Sequence, residues 1–224
     1  MKILSLIIAR AGSKRLKNKN LKKIKKYNLV ERSINISKQL KKNDLVCDTL
    51  LSTDSKKILS IGKKNKIISP WLRPKSLSKS NSASIEAALH AINWYENTYS
   101  KLDALLLLQP TTPFRELKDI FEAINLFKKF KKKIVSVSPI KKHFQDMYEI
   151  SNNKLLIGNK KKNNNYKELF VCNGYLYIFP INYLKKHKNF NAANSIPFVV
   201  KSCIKSIDID DKYDLELAVK LNEK

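Results

Sequence analysis

The sequence predicts a single α/β domain built around a mostly parallel sheet, and three observations carry that prediction. Ile3–Ala9 and Ala104–Leu108 are apolar runs of strand length without polar alternation, as expected for strands covered on both faces. Amphipathic helical periods separate these and similar runs, the pattern of successive βαβ units. The chain has 224 residues, 43% of them hydrophobic, which suffices for one full core.

In order, Ile3–Ala9 is the first strand. Val30–Leu40 places Val30, Ile34, Ile36 and Leu40 on one helical face. Thr49–Thr53 is a strand that empties through Leu51-Ser52-Thr53-Asp54-Ser55 into a helix, with Asp54 or Ser55 as its cap, and Lys66–Ile68 is a short strand. Ser84–Tyr95 is a helix carrying Ile85, Ala88, Leu89, Ile92 and Tyr95. After the Ala104–Leu108 strand, Lys118–Phe130 is a helix with Phe121, Ile124, Leu126 and Phe127, and Ile134–Val137 is a strand. Beyond Pro139 the character changes. Lys141–Tyr166 is polar and ends in the tract Asn159–Asn165, which can bury little, so residues 140–170 are expected to leave the sheet. Strands resume at Gly174–Phe179 and near Phe198–Lys201, and a helix from about Asp211 to Leu221 closes the chain. No internal repeat is visible, and 1–224 reads as one domain.

The formal charge of +26 would ordinarily point to nucleic acid or an anionic membrane. Only five of the 45 basic residues are Arg (Arg10, Arg15, Arg32, Arg73, Arg115), however, whereas nucleic-acid surfaces lean on Arg for bidentate contacts. Lys, Asn and Ile are over-used together and share A/T-rich codons, so genome composition accounts for most of the charge. In a chain that defaults to Lys, each Arg marks a position where Lys will not serve. No apolar run approaches the ~20 residues of a membrane span, and Met1–Ala9 runs into charge without a small-residue cleavage site. A cytoplasmic protein without membrane or nucleic-acid partners is expected. Cys47, Cys172 and Cys203 show no paired or zinc-type spacing, and His90, His143 and His187 are isolated.

Three runs carry chemistry. Leu6–Ala9 empties into Arg10-Ala11-Gly12-Ser13-Lys14-Arg15, followed by Lys17, Lys19 and Asn20, a cationic loop suited to a polyphosphate. Gly12 is expected to let the backbone turn sharply and present N–H groups, while Arg10, Lys14 and Lys19 surround the turn. The loop is neither a P-loop nor a dinucleotide fingerprint. The second run is Leu105–Leu108 followed by Gln109-Pro110-Thr111-Thr112-Pro113-Phe114-Arg115. It sets Gln109 at the carboxyl end of a buried strand, where open α/β sheets bind ligands; its amide can read a sugar hydroxyl or carboxylate, or satisfy a local turn. The third is Ser206–Asp211. Read as a short strand, it puts Asp208 and Asp210 on one face, fitting Mg²⁺ bridged to phosphate; the alternative is an acidic helix N-terminus, which Asp211 fits better. Trp71-Leu72-Arg73-Pro74, ahead of Ser82 and Ser84, forms a further nucleotide-contact candidate. Asn173-Gly174-Tyr175-Leu176-Tyr177 opens the late strand or forms a turn.

In their order these runs resemble the acylneuraminate cytidylyltransferases, the CMP-sialic acid synthetases and relatives acting on other nonulosonic acids. The resemblance covers nearly the whole chain. It rests on Ala9–Asn20, Leu51–Asp54, Arg73-Pro74, Leu107–Arg115, Asn173–Tyr177 and Ser206–Asp210. It implies a three-layer Rossmann-like sheet of the nucleotide-diphospho-sugar transferase type, usually a homodimer, in which CTP and a nonulosonic acid give a CMP-sugar and pyrophosphate for surface glycans. By that similarity Arg10, Lys14 and Lys19, with Gly12, Ser13 and Asn20 of the same loop, meet the nucleotide together with Arg73 and Ser84. Gln109, Asn173 and Tyr177 take the sugar side. Asp208 and Asp210 match the metal-binding carboxylates, for Mg²⁺; apart from the resemblance, Asp208 is also a candidate general base. The 140–170 segment would serve dimerisation or cover the substrate.

Two departures stand out. Ser80 occupies a position where the family generally has Asp. Asn163-Asn164-Asn165-Tyr166-Lys167 replaces the family's Arg-x-Gln-x-Leu-Pro run, whose Arg, supplied by the dimer partner, helps bind the sugar acid. Lys160, Lys161 or Lys162 stands nearest, but an ammonium lacks the planar fork that grips a carboxylate. Alternative readings are a nucleotidyltransferase for another sugar acid, such as the lipopolysaccharide core acid, a silent homologue, or a basic nucleic-acid-binding protein. The last predicts salt-sensitive binding to arbitrary RNA.

Overall fold

The computed structural model describes residues 1–78, 84–140 and 169–222 in full, and the backbone of 148–151 and 154–157. Ser80, Ser82 and the Asn159–Lys167 stretch lie outside the described residues.

In chain order the elements are β1 (Ile3–Ala9), β2 (Lys23–Ile24), β3 (Tyr27–Asn28), α1 (Leu29–Lys42), β4 (Asp48–Thr53), α2 (Lys56–Lys64), α3 (Ser84–Thr98), β5 (Ala104–Leu107), α4 (Leu117–Phe130), β6 (Ile134–Pro139), β7 (Tyr148–Ser151), β8 (Lys154–Ile157), β9 (Phe170–Pro180), α5 (Ile181–His187), β10 (Ile196–Val199) and α6 (Lys212–Leu221). Six strands form the main sheet in the order β10-β6-β9-β5-β1-β4. Its neighbours are parallel except at β9, which runs antiparallel to both β5 and β6. β2–β3 and β7–β8 are small antiparallel hairpins.

The architecture is the expected three-layer, mostly parallel α/β fold. On one face Ile3, Ile7, Leu106, Ile134 and Ile178 pack with Val30 and Ile34 of α1 and Ile120, Ile124 and Phe127 of α4. On the other, Leu4, Leu6, Leu105 and Phe179 pack with Ile85, Ala88 and Ile92 of α3 and Leu184 of α5. Both faces of β1 and β5 are therefore covered, which is why their sequences are continuously apolar. Each fully buried Leu or Ile contributes about 1.5–3 kcal/mol through burial. Three hydroxyls in this core pair with one another: Ser37 donates to Ser5 at 2.6 Å and lies 2.7 Å from Thr49 Oγ1.

Local signals set the helix starts. Asn28 caps α1 in a capping box with Glu31. Ser55, rather than Asp54, caps α2 by accepting from Ile58 N–H. Asp211 caps α6 with Asp214 as its reciprocal partner, so the acidic helix start holds for Asp211 but not for Asp208 or Asp210.

Three strand expectations are corrected. Lys66–Ile68 contributes only an isolated bridge, Ile68 to Leu50, because it runs beside the edge strand β4 for too short a distance to form a ladder. The strand placed at Phe198–Lys201 is centred earlier, on Ile196–Val199. Ser206–Asp210 belongs to no sheet: Ser206 ends a turn, 207–210 are irregular, and Ile209 N–H is bonded to Thr111 O at 2.8 Å instead. The side-chain alternation survives, with Ile209 fully buried between the two carboxylates.

A third, smaller core explains where that segment goes. Ile209 packs with Leu16, Ile24, Leu29 and Ala218, joined by Phe114 and Leu215. The cationic loop (Leu16), the first hairpin (Ile24), α6 (Ala218) and the carboxylate segment are thereby fastened together.

Candidate active site

A cleft of about 650 Å³ opens at the carboxyl edge of the sheet. Parallel strands β1, β4 and β5 all end there, and the antiparallel β9 delivers its amino-terminal half to the same edge. Arg10, Ser13, Lys14, Lys19, Asn20, Arg73, Ser84, Gln109, Asp208 and Asp210 line it, together with Arg15 and Thr111. Gly12, Asn173 and Tyr177 are not among the lining residues.

The loop after β1 is braced from behind. Asp54, at the end of β4, accepts the Ala11 N–H at 2.7 Å, and Asn20 donates its amide to Arg10 O at 2.8 Å. Asn20 thus fixes the loop from a buried position. The N–H groups of Gly12 and Lys14 have no protein acceptor among the described residues, while Ser13 N–H bonds to Ala11 O. The expectation that Gly12 makes the sharp turn is corrected: its φ is not positive, and a Cβ there would meet open space. The left-handed residue is Asn18, with φ 56°.

Arg73 is buried, its side chain 2% exposed, with Asp54 Oδ1 3.9 Å away and its Nε donating to Ser78 Oγ at 3.3 Å. Burial lowers its pKa from the usual value, Asp54 offsets this in part, and the nearby Arg10 guanidinium lowers it further. One carboxylate shared between the Ala11 N–H and Arg73 leaves the Arg10–Arg73 pair under-neutralised, an arrangement that favours an anion.

The two carboxylates of the cleft differ. Asp210 accepts from Arg15 Nη2 at 2.6 Å and from Lys19 Nζ at 3.0 Å. Burial pushes its pKa up, but these two cations outweigh it and hold the group below the ordinary carboxylate value. Asp208 is exposed to the cleft and has no ion-pair partner among the described residues.

The wall carrying Gln109 is shaped by a bulge in β9. Val135 pairs with Tyr177 but Val137 pairs with Cys172, so residues 173–176 arch away from β6. Side chains satisfy the arch. Asn173 Oδ1 accepts from Tyr175 N–H and Asn173 Nδ2 donates to Ser138 Oγ, while Ser136 Oγ accepts from Leu176 N–H. Arg115 takes the carbonyls: its guanidinium donates to Tyr175 O, to Gly174 O at 3.2 Å, to Thr112 O at 2.6 Å and to Gln109 O at 2.7 Å, as well as to Thr112 Oγ1. Burial depresses the Arg115 pKa to about 10, against the pull of Tyr175 and Asp208. At Gly174, φ is +72° and a Cβ would stand 3.3 Å from Gln109 Oε1 and 3.7 Å from Asp208 Oδ2. Glycine is required here for both backbone and space.

Two sugar-side expectations change accordingly. The Asn173 side chain is consumed in shaping the bulge and does not face the cleft, and Asn173-Gly174 is a bulge within one strand rather than a turn. Tyr177 packs with Phe179 on the α3 face; burial, then Cys172 and Asp208, raise its pKa.

Arg15, Asp54 and Arg115 contribute to the site, although the sequence runs that contain them assign them no individual role in it. Arg15 and Arg115 carried a signal, being two of the five Arg in a Lys-rich chain. Asp54 had only its place at a strand end.

Residues 4–224 match the sequence profile of the family described as Cytidylyltransferase. The chain is 32% identical over 232 residues to the CMP-N,N'-diacetyllegionaminic acid synthase of Legionella pneumophila, covering 100% of this chain and 97% of that protein. It is 29% identical over 229 residues to the N-acylneuraminate cytidylyltransferase of Escherichia coli, covering 100% of this chain and 52% of that longer protein. Among solved structures, CMP:2-keto-3-deoxy-manno-octonic acid synthetase complexed with CTP superposes with a TM-score of 0.71 at 12% identity, covering 99% of this chain and 98% of that one. A 4-diphosphocytidyl-2C-methyl-D-erythritol synthase reaches 0.71 at 10% identity, over 100% and 98%. At such identities the likeness concerns the fold.

Proposed function

The chain belongs to the cytidylyltransferase family, and from that premise we propose that it activates a nonulosonic acid with CTP, giving the CMP-sugar and pyrophosphate for glycan synthesis. The observation that carries this reading is one cleft, at the carboxyl edge of the sheet, that gathers the cationic loop, Arg73, Gln109 and the Asp208–Asp210 pair.

In this reading a sugar hydroxyl attacks the α-phosphorus of CTP in line and pyrophosphate leaves. Positioning and charge stabilisation dominate the work left to the protein. Arg10, Lys14 and Lys19 take the triphosphate with the N–H groups of Gly12 and Lys14, neutralising charge that builds on the leaving group. Ser84, at the start of α3, and Arg73 face the nucleotide, and Asn20 keeps Arg10 in place. Gln109, backed by Gly174 and Arg115, orients the acid. Asp208 stands where it can take the proton of the attacking hydroxyl.

The same two carboxylates fit Mg²⁺. They are hard oxygen donors on one wall, and no cluster of three or more His, Cys, Asp or Glu that could hold a metal occurs among the described residues. Two carboxylates, completed by substrate oxygens and water, are the usual protein share of a Mg²⁺ site. When bound, the ion would supply Lewis-acid polarisation of phosphate oxygens. A homodimer is part of the proposal, on family resemblance. No helix among the described residues is long and apolar enough to cross a membrane.

Pyrophosphate release tests the reading, with Mg²⁺ and CTP, UTP, GTP or ATP against a panel of nonulosonic acids and the eight-carbon core acid. Release with CTP and one nine-carbon acid is expected. Release only with the core acid would reassign the substrate, and none with any pair despite CTP binding would identify a silent homologue.

A further inference from the structure

Asp210 is ion-paired to two residues of the cationic loop. Both oxygens of its carboxylate are engaged, Oδ2 by Arg15 at 2.6 Å and Oδ1 by Lys19 at 3.0 Å. The two cations differ in freedom: the Arg15 side chain is 67% exposed, the Lys19 side chain 13%. A divalent ion on a carboxylate sits about 2.0–2.1 Å from the oxygen. On Asp210 it would share its oxygens with a guanidinium and an ammonium, and like charges at that range repel strongly. Release of one of these cations therefore favours the metal. Arg15 is the one that can leave without losing packing, and its planar fork suits a phosphate as well as a carboxylate. It lines the cleft beside Lys14 and Ser13, where a triphosphate would replace the Asp210 charge.

We propose that Arg15 is a triphosphate-binding residue that latches Asp210 in the empty site: nucleotide draws Arg15 away, freeing the carboxylate, so that nucleotide and metal bind as a coupled pair. The proposal rests on the cytidylyltransferase reading and on Asp208 and Asp210 as metal ligands. Coupling of this kind is reciprocal, so metal raises nucleotide affinity by the factor by which nucleotide raises metal affinity.

Mn²⁺ serves as the probe, its binding to the nucleotide-free full chain followed by electron paramagnetic resonance in wild type, Arg15→Ala, Arg15→Lys and Arg15→Ala/Asp210→Asn. CTP binding is measured in parallel by calorimetry in EDTA. Arg15→Ala is expected to bind Mn²⁺ about fivefold or more tightly than wild type, Arg15→Lys to stay near wild type, and Asp210→Asn to abolish the gain. Metal-free CTP affinity is expected to drop severalfold in Arg15→Ala. Unchanged or weaker Mn²⁺ binding by Arg15→Ala, in a chain that still binds CTP, overturns the latch and leaves the enzymatic reading standing. Unchanged CTP affinity overturns the role of Arg15 as a ligand. Failure of the wild type to bind CTP overturns the proposal together with the reading beneath it.

Discussion

Asp208 and Asp210 share a wall of the cleft but not a state. Asp210 is neutralised by Arg15 and Lys19, whereas Asp208 has no ion-pair partner among the described residues and is exposed. Asp208→Ala therefore removes little that holds the fold. It is expected to lower Mg²⁺-dependent pyrophosphate release by about two to three orders of magnitude, the usual scale for losing a preorganised electrostatic contact, with the thermal midpoint unchanged. Wild-type turnover in that variant would reject the assignment. Lys19 is far less exposed than Arg15 and bonds Asp210, so Lys19→Ala is expected to cost ~1–3 kcal/mol of productive CTP use, typical of a lost charge-assisted contact. Its check is kcat/KM for CTP at fixed acid, and an unaltered value over the full CTP range would contradict it.

At the scale of the element, the bulge in β9 is what turns a plain antiparallel strand into a site wall. Five acceptor contacts converge on Arg115, four of them backbone carbonyls of Gln109, Thr112, Gly174 and Tyr175. An ammonium presents its donors from one point and cannot span them. Arg115→Lys leaves carbonyls buried without partners, at ~1–3 kcal/mol each. A total of about 2–5 kcal/mol is expected, visible as a drop in Tm on the order of ten degrees. KM for the acid is expected to rise more than KM for CTP, since Gln109 is what the clamp holds. Equal changes in both would make Arg115 a general support only. Tyr175 extends the same element: its hydroxyl donates to Asp119 at 2.6 Å, and Lys205, just upstream of Asp208, bonds Asp119 at 2.8 Å. The carboxylate segment is thus moored to the strand that forms the opposite part of the wall.

Across the whole molecule, the α3 face adds a pH dependence of its own. His90 lies edge-on to Trp71 with ring centroids 5.1 Å apart, and its buried Nδ1 has no partner among the described residues. Burial, with Arg73 adding to it, holds its pKa below the ordinary 6.5. The folded state thus favours the neutral ring while the unfolded chain protonates first. This contribution to stability is complete above about pH 6.5 and is lost as pH falls toward the lower folded value. Melting from about pH 7.5 to 5 should show Tm declining, with a shallower decline in His90→Phe; identical slopes would place the loss elsewhere. The sheet strands and amphipathic helices were legible in the sequence because burial on two faces, or on one helical stripe, leaves a periodic record along the chain. So was the chemistry of the cationic loop, of Gln109 at a strand end and of the alternating Asp208 and Asp210, since each depends on local pattern alone. Which of these would meet was decided only by the tertiary structure. The small core of Leu16, Ile24 and Ile209 brings residues some two hundred positions apart into one wall, the antiparallel β9 turns Gly174 against Gln109, and the two cations reaching Asp210 choose it over Asp208. Contacts between distant segments leave no period in the sequence, so the residues recorded what each position could do while packing determined which partner it met.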